Sequence, residues 1–266
     1  MNSPSIASSV REALLSRFLR YVAIDTESDP TSTTYPSTEK QLDLLRLLRD
    51  ELIEMGVPEV RLLEKGYVMA QIPATPGYED RPALGLIAHA DTSPDFTGRG
   101  VRPQIIEDYD GSPIALGDTA VLTAREFPEL MELLGHTLIT TDGSTLLGAD
   151  DKAGVAEIME TVRYILAHPE LPHGKICIGF TPDEEIGKGV DFFDVKAFGA
   201  DFAFTVDGSR EGELEYENFN AASARVVAHG RSIHPGSAKG KMINALEAIY
   251  LLHAALPHYA RPEFTE

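Results

Sequence analysis

Cysteine is nearly missing from this chain: Cys177 is the only one in 266 residues. A single thiol excludes an internal disulfide, fits a reducing compartment and argues against thiolate ligation of a metal. Basic residues are scarce, 23 against 42 acidic ones, so the formal charge is −19. That balance speaks against nucleic-acid recognition through phosphates, which needs a basic surface. Long apolar runs are missing too. None approaches the roughly 20 residues that cross a bilayer. Residues 1–9 carry no basic stretch followed by an apolar one, so no secretory signal is expected. The expected location is the cytoplasm, with neither membrane nor nucleic acid as partner. The 43% apolar content is that of a globular protein with a real core, in one large or two modest domains. The acidic surplus concentrates cations, although solubility alone accounts for it.

Against this background one stretch stands out, Thr181-Pro182-Asp183-Glu184-Glu185-Ile186-Gly187. It follows an apolar run, Ile176 to Phe180, that reads as a buried strand. The end of a strand is where an α/β protein places its chemistry. Alone, an Asp-Glu-Glu turn would read as a solvated acidic loop. The layout repeats, however. The run 83–88 leads into His89-Ala90-Asp91, the run 145–149 into Asp150-Asp151-Lys152, and the run 202–206 into Asp207-Gly208. Parallel strands buried on both faces read as continuous apolar segments, and their carboxyl ends line one crevice. One histidine and several carboxylates meeting there suit a divalent ion such as zinc, manganese or cobalt.

The rest of the chain alternates. Residues 8–23 and 41–55 show helical spacing, the second opened by a capping-box pattern at Thr38 and Gln41 and closed by Gly56. Residues 60–63 and 67–72 flank Glu64-Lys65-Gly66 as a hairpin. The stretch 92–118 reads as a long irregular loop, and 137–147 as extended. A helix follows Asp151, with its positive end near two carboxylates. Beyond Glu215 the character changes, with a strand expected at 221–229, then His234-Pro235-Gly236, then a helix over about 244–256. The expected fold is α/β: a mostly parallel mixed sheet flanked by helices, followed by the start of a smaller α+β second domain. The boundaries are 1–215 and 216–266.

Six segments in order carry a resemblance: 89–95, 140–143, 147–154, 181–189, 217–222 and 234–236. Together they resemble the co-catalytic di-zinc exopeptidase family, which also holds glutamate carboxypeptidases and aminoacylases, and within it the tripeptide aminopeptidases. The resemblance implies a metallo-aminopeptidase that releases the N-terminal residue of tripeptides, with two zinc ions per subunit and cobalt or manganese as substitutes. It assigns His89 and Asp207 to one metal, Glu185 to the other, and Asp150 to both. It makes Glu184 the general base, and Asp91 the acceptor that orients the His89 ring. His234 resembles the family's second-domain histidine that holds substrate; as a residue ahead of Pro235 it reads equally as part of a turn. A small peptide is the implied substrate, and the resemblance allows a homodimer. Family members continue past Glu266 and supply a further histidine there, so the Asp150–Glu185 position is expected to be short of one ligand. A catalytically silent metal-binding module and a metal-dependent deacylase of N-acyl amino acids are the alternative readings.

Overall fold

The computed structural model describes residues 8–118, 120–208, 210–218, 222 and 224–264. Two compact units divide the chain, 1–213 and 214–266.

The first unit is built on a five-stranded sheet. Its strands are β1 (Glu59–Leu62), β2 (Val68–Ile72), β3 (Leu84–His89), β8 (Ile176–Thr181) and β9 (Phe202–Thr205), in the order β1-β2-β8-β3-β9. The pairs β1–β2 and β2–β8 are antiparallel; β8–β3 and β3–β9 are parallel. Alternation along the strands sorts two cores. Val68, Ala70, Ile72, Ile176, Ile178, Phe180 and Ala88 face a layer of three helices, α1 (Ser8–Val22), α2 (Gln41–Glu54) and α3 (Ala149–Ala167). α1 packs on α3, α3 on β3, and α2 on β1 and β2. The opposite face buries Met69 and Cys177 under Phe198 of the short helix α4 (Val195–Phe198). Gly85 and Gly179 are small because Phe198 lies on them: a Cβ on Gly85 would stand 2.7 Å from that ring, and one on Gly179 3.1 Å.

Between β3 and α3 lie two small antiparallel sheets. β4 (Pro103–Ile106) pairs with β7 (Leu138–Thr141), and β5 (Ile114–Leu116) with β6 (Ala120–Leu122). The stretch 92–118 is therefore not wholly irregular. Its strands are only three or four residues long, too short for alternation to show. The run 145–149 is not a strand either. Gly148 turns it with φ +76°, and its Leu146 N–H donates to the Thr97 carbonyl rather than to a ladder. Thr38 and Gln41 form no capping box, since α2 starts at Gln41 behind Lys40 without a side-chain cap. The Thr38 hydroxyl donates to the Glu27 carbonyl instead, and the Gln41 amide is drawn into a buried network.

The second unit contains α5 (Ala245–Ala255), capped by the Asn244 side chain accepting from Leu246 N–H at 3.1 Å. The strand expected at 221–229 does not form among the described residues there; 221 and 223 lie outside them. Among the described residues the nearest pairing is a single bridge, Arg231 with Ile243.

Candidate metal centre

The parallel register brings three strand ends to one rim. His89 lies opposite Thr181, and Ile87 opposite Thr205. The residues that follow, Asp91, Asp183 to Glu185 and Asp207, must therefore emerge side by side. α3 supplies the rest. Its first residues, Asp150 and Asp151, have non-helical torsions. The Asp151 carboxylate caps the helix, one oxygen accepting from Gly154 N–H at 3.2 Å and the other from His89 N–H at 3.0 Å. One buried carboxylate thus ties the end of β3 to the start of α3. Gly154 lets the two meet. A Cβ there would stand 1.8 Å from the Val206 carbonyl oxygen and 2.4 Å from an Asp151 oxygen.

His89 is 3% exposed. Its Nδ1 is 3.0 Å from the Asp91 main-chain oxygen and 3.4 Å from the Asp91 carboxylate. The Asp91 partner nearest the ring is thus its carbonyl. The carboxylate accepts the N–H groups of Glu184 at 2.9 Å and Glu185 at 3.2 Å, holding their turn. On the other side of the ring, Nε2 is 2.8 Å from Asp150, 3.7 Å from Asp207 and 3.9 Å from Glu184. Two sets bring their ligand atoms within 4.8 Å of one another: His89 with Asp150 and Glu185, and His89 with Asp151 and Asp207. His89, Asp150, Glu184, Glu185 and Asp207 thus share one rim. Asp207 groups with Asp151 rather than with Asp150. His234 belongs to the second unit, where its Nδ1 accepts from Gly236 N–H at 3.2 Å.

The electrostatics are those of crowded acids. Burial and then repulsion among the carboxylates raise the pKa values of Glu184, Glu185 and Asp207, against the pull of His89. Burial lifts Asp151 to about 8. For His89, burial opposes the proton, but the Asp91 hydrogen bond and charge, with Asp151 and Asp207, outweigh it and hold the ring at about 10. Lys152, buried with its Nζ on the Ile24 carbonyl at 2.6 Å, is pushed down by burial to about 8.

This donor set fits a divalent cation. Both ring nitrogens face oxygen, so without a cation the ring carries a second proton, which a cation at Nε2 can displace. With Nδ1–H turned to the Asp91 carbonyl, Nε2 presents its lone pair toward Asp150 and Asp207. One nitrogen and several oxygens suit zinc, cobalt or manganese.

Sequence reasoning missed Asp151 as a cap, Gly154 as the contact point and Asp183 as a buried residue. Gly154 did leave a signal, since glycine in the first turns of a helix is a poor helix former kept for close approach.

The chain is 56% identical to peptidase T of Clostridium acetobutylicum over 257 residues, covering 96% of this chain and 63% of that protein. It is 53% identical to peptidase T of Geobacillus thermodenitrificans, covering 97% and 63%. It thus spans a little under two thirds of the length of these curated relatives. A family model described as the peptidase dimerisation domain matches residues 216–266. The crystal structure of aminopeptidase PepT from Bacillus cereus shares the fold with a TM-score of 0.59, at 24% identity, over 93% of this chain and 57% of that one.

Proposed function

The chain is homologous to peptidase T over nearly its whole length, and from that premise we propose that it acts in a metal-dependent aminopeptidase releasing the N-terminal residue of tripeptides. The observation that carries this reading is the convergence of Asp150, Glu184, Glu185 and Asp207 on His89, from the ends of β3, β8 and β9 and the start of α3. His89, Asp150, Glu185 and Asp207 would hold the cation, zinc in the first place; the grouping of His89 with Asp150 and Glu185 supports this reading. When bound, such an ion acts as a Lewis acid toward a peptide carbonyl and toward water.

The chain's own groups do the rest. Glu184 takes a proton from the attacking water and returns it to the departing amine. Its raised proton affinity suits the first of these steps, and its exposure lets it reach substrate. Asp91 holds Glu184 and Glu185 through their backbone N–H groups and keeps the His89 ring in place. His234 would hold the substrate carbonyl. The second unit would pair two subunits, a role supported by the family model that it matches. The lone cysteine supports a cytoplasmic location.

The test is a zinc or cobalt titration followed by tripeptide hydrolysis. Glu184→Gln should lose on the order of 10²-fold or more in kcat with bound metal unchanged. The N-acetylated tripeptide should be a poor substrate. Full metal loading of the unsubstituted chain without turnover would make it a metal-binding module instead. Preference for the N-acetylated compound would make it a deacylase.

A further inference from the structure

One acid of the Asp-Glu-Glu turn faces away from the others. Asp183 is fully buried and adopts φ +58°, a left-handed conformation that a non-glycine residue takes only with support. The support comes from the start of α2 and the loop before it. Ser37 N–H donates to one Asp183 oxygen at 2.7 Å. The Ser37 hydroxyl and the Gln41 amide, at 2.7 Å, donate to the other. Gln41 closes the ring by accepting the Asp183 N–H at 3.1 Å. The same loop grips the far side of the turn. Lys188 Nζ donates to the Ser32 carbonyl at 3.1 Å, and the Tyr35 hydroxyl to Asp191 at 2.7 Å. Gly189 lies against Glu184, where a Cβ would come within 3.0 Å of its Cα.

Glu184 and Glu185 are thus held from two sides, by the Asp91 carboxylate in front and by Ser37 and Gln41 through Asp183 behind. We infer that Asp183, Gln41 and Ser37 form a positioning clamp that fixes the Glu184–Glu185 turn, setting both the aim of the proposed base and the place of the proposed ligand. The clamp residues touch neither the crevice nor the other site carboxylates by any hydrogen bond among the described residues. Their effect must pass through the backbone of residues 183–185. The inference rests on the metallopeptidase reading for its consequences and on hydrogen-bond geometry for its existence, so the two can be tested apart.

The experiment compares four forms of the whole chain: unsubstituted, Gln41→Ala, Asp183→Asn and the exchanged pair Gln41→Glu with Asp183→Asn. In the pair, the amide introduced at position 183 can donate to the carboxylate introduced at position 41. Each is prepared metal-free, checked by circular dichroism, and titrated with cobalt followed by its visible absorption. Amide hydrogen exchange is read on residues 183–187, and tripeptide turnover on the loaded forms. The clamp predicts faster exchange at 183–187 in both single variants and cobalt affinity lower by about tenfold or more. It predicts a fall in kcat with KM within about twofold, and recovery in the exchanged pair of much of what the singles lose. A purely structural role would lower the melting temperature without changing the cobalt spectrum or splitting kcat from KM. Should Asp183→Asn fail to fold, Gln41→Ala decides by itself. Cobalt binding and exchange at 183–187 like those of the unsubstituted chain in Gln41→Ala would overturn the clamp. If the unsubstituted chain binds no cobalt, the metal reading fails instead, and the exchange data alone decide the clamp.

Discussion

Gly154→Ala probes the joint between α3 and the end of β9. An alanine Cβ would stand 1.8 Å from the Val206 carbonyl oxygen, where real contacts stay above 3.0 Å. The obstacle is backbone, which cannot rotate aside, so Val206 must retreat by about 1 Å or more. Overpacking of this kind costs about 1–3 kcal/mol. The same Cβ lies 2.4 Å from the Asp151 oxygen that accepts Gly154 N–H. Losing that cap adds about 1 kcal/mol. A total of about 2–4 kcal/mol lowers the melting temperature of a unit this size by roughly 5–15 °C. Asp207 follows Val206 directly and Asp151 loses its hydrogen bond from Gly154 N–H, so the crevice loses its spacing as well. Zinc affinity by isothermal titration should fall alongside the melting temperature measured on metal-free protein. A Gly154→Ala chain that melts within about 2 °C of the unsubstituted one and binds zinc equally well would show that the packing argument is wrong.

Asp150 and Asp151 should part company on substitution. Asp151→Asn leaves one of two buried N–H donors facing an amide and should cost about 1–3 kcal/mol of stability, read by urea unfolding. Asp150→Asn, on a side chain 71% exposed, should leave stability within about 0.5 kcal/mol while weakening zinc binding in a titration. Metal binding should strengthen as pH rises. His89 carries its proton up to about pH 10, so a cation must displace it, and the apparent zinc affinity should rise about tenfold per pH unit between pH 6 and 8; a flat profile would mean that Nε2 is not a ligand. The metal-free unit should lose stability over the same range. Asp151 binds its proton more tightly folded than unfolded, so its contribution is full below pH 4 and is lost as pH passes about 8. His89 adds a loss in the same direction between its unfolded value and about 10. Lys152, with its folded pKa lowered to about 8, returns stability only above that pH. A melting temperature of metal-free protein that rises steadily from pH 5 to 8 would contradict these signs.

The strands that frame the crevice were legible because each is a continuous apolar run. β8 is buried along its whole length, and its sequence, Ile176 to Thr181, has no polar alternation to disguise it. β9 read equally well although all four of its residues are exposed in this structure, because composition reports what a strand can bury. The run at 145–149 misled for the same reason: apolar composition does not distinguish a strand from a turn entering a helix, and only Gly148 marks the difference. The acids were legible as a set but not as individuals. Nothing local separates Asp150 from Asp151, or Asp183 from Glu184. What separates them is which oxygen meets a backbone N–H, and those donors lie far along the chain. The Asp183 donor Ser37 is 146 positions away, and the Asp151 donor His89 is 62.

That separation has a physical logic. Seven carboxylates gather near His89, and they divide by the donors they meet. Asp91, Asp151 and Asp183 are at most 2% exposed, and each accepts at least two hydrogen bonds from the protein. Burying a carboxylate is costly unless such bonds offset it, so these three are committed to the frame: Asp91 to the glutamate turn, Asp151 to α3, Asp183 to α2. Asp150, Glu184, Glu185 and Asp207 receive no backbone N–H among the described hydrogen bonds and face the crevice. Their mutual repulsion is relieved in part by His89 alone. A cation would relieve the rest, and ligand binding to the folded form alone would then stabilise it. On this argument Asp151 belongs with the frame despite its nearness to Asp207, because both of its oxygens are already engaged. The ions proposed here fall to the acids that receive no backbone N–H, save for Glu184, whose oxygens are kept for the proton.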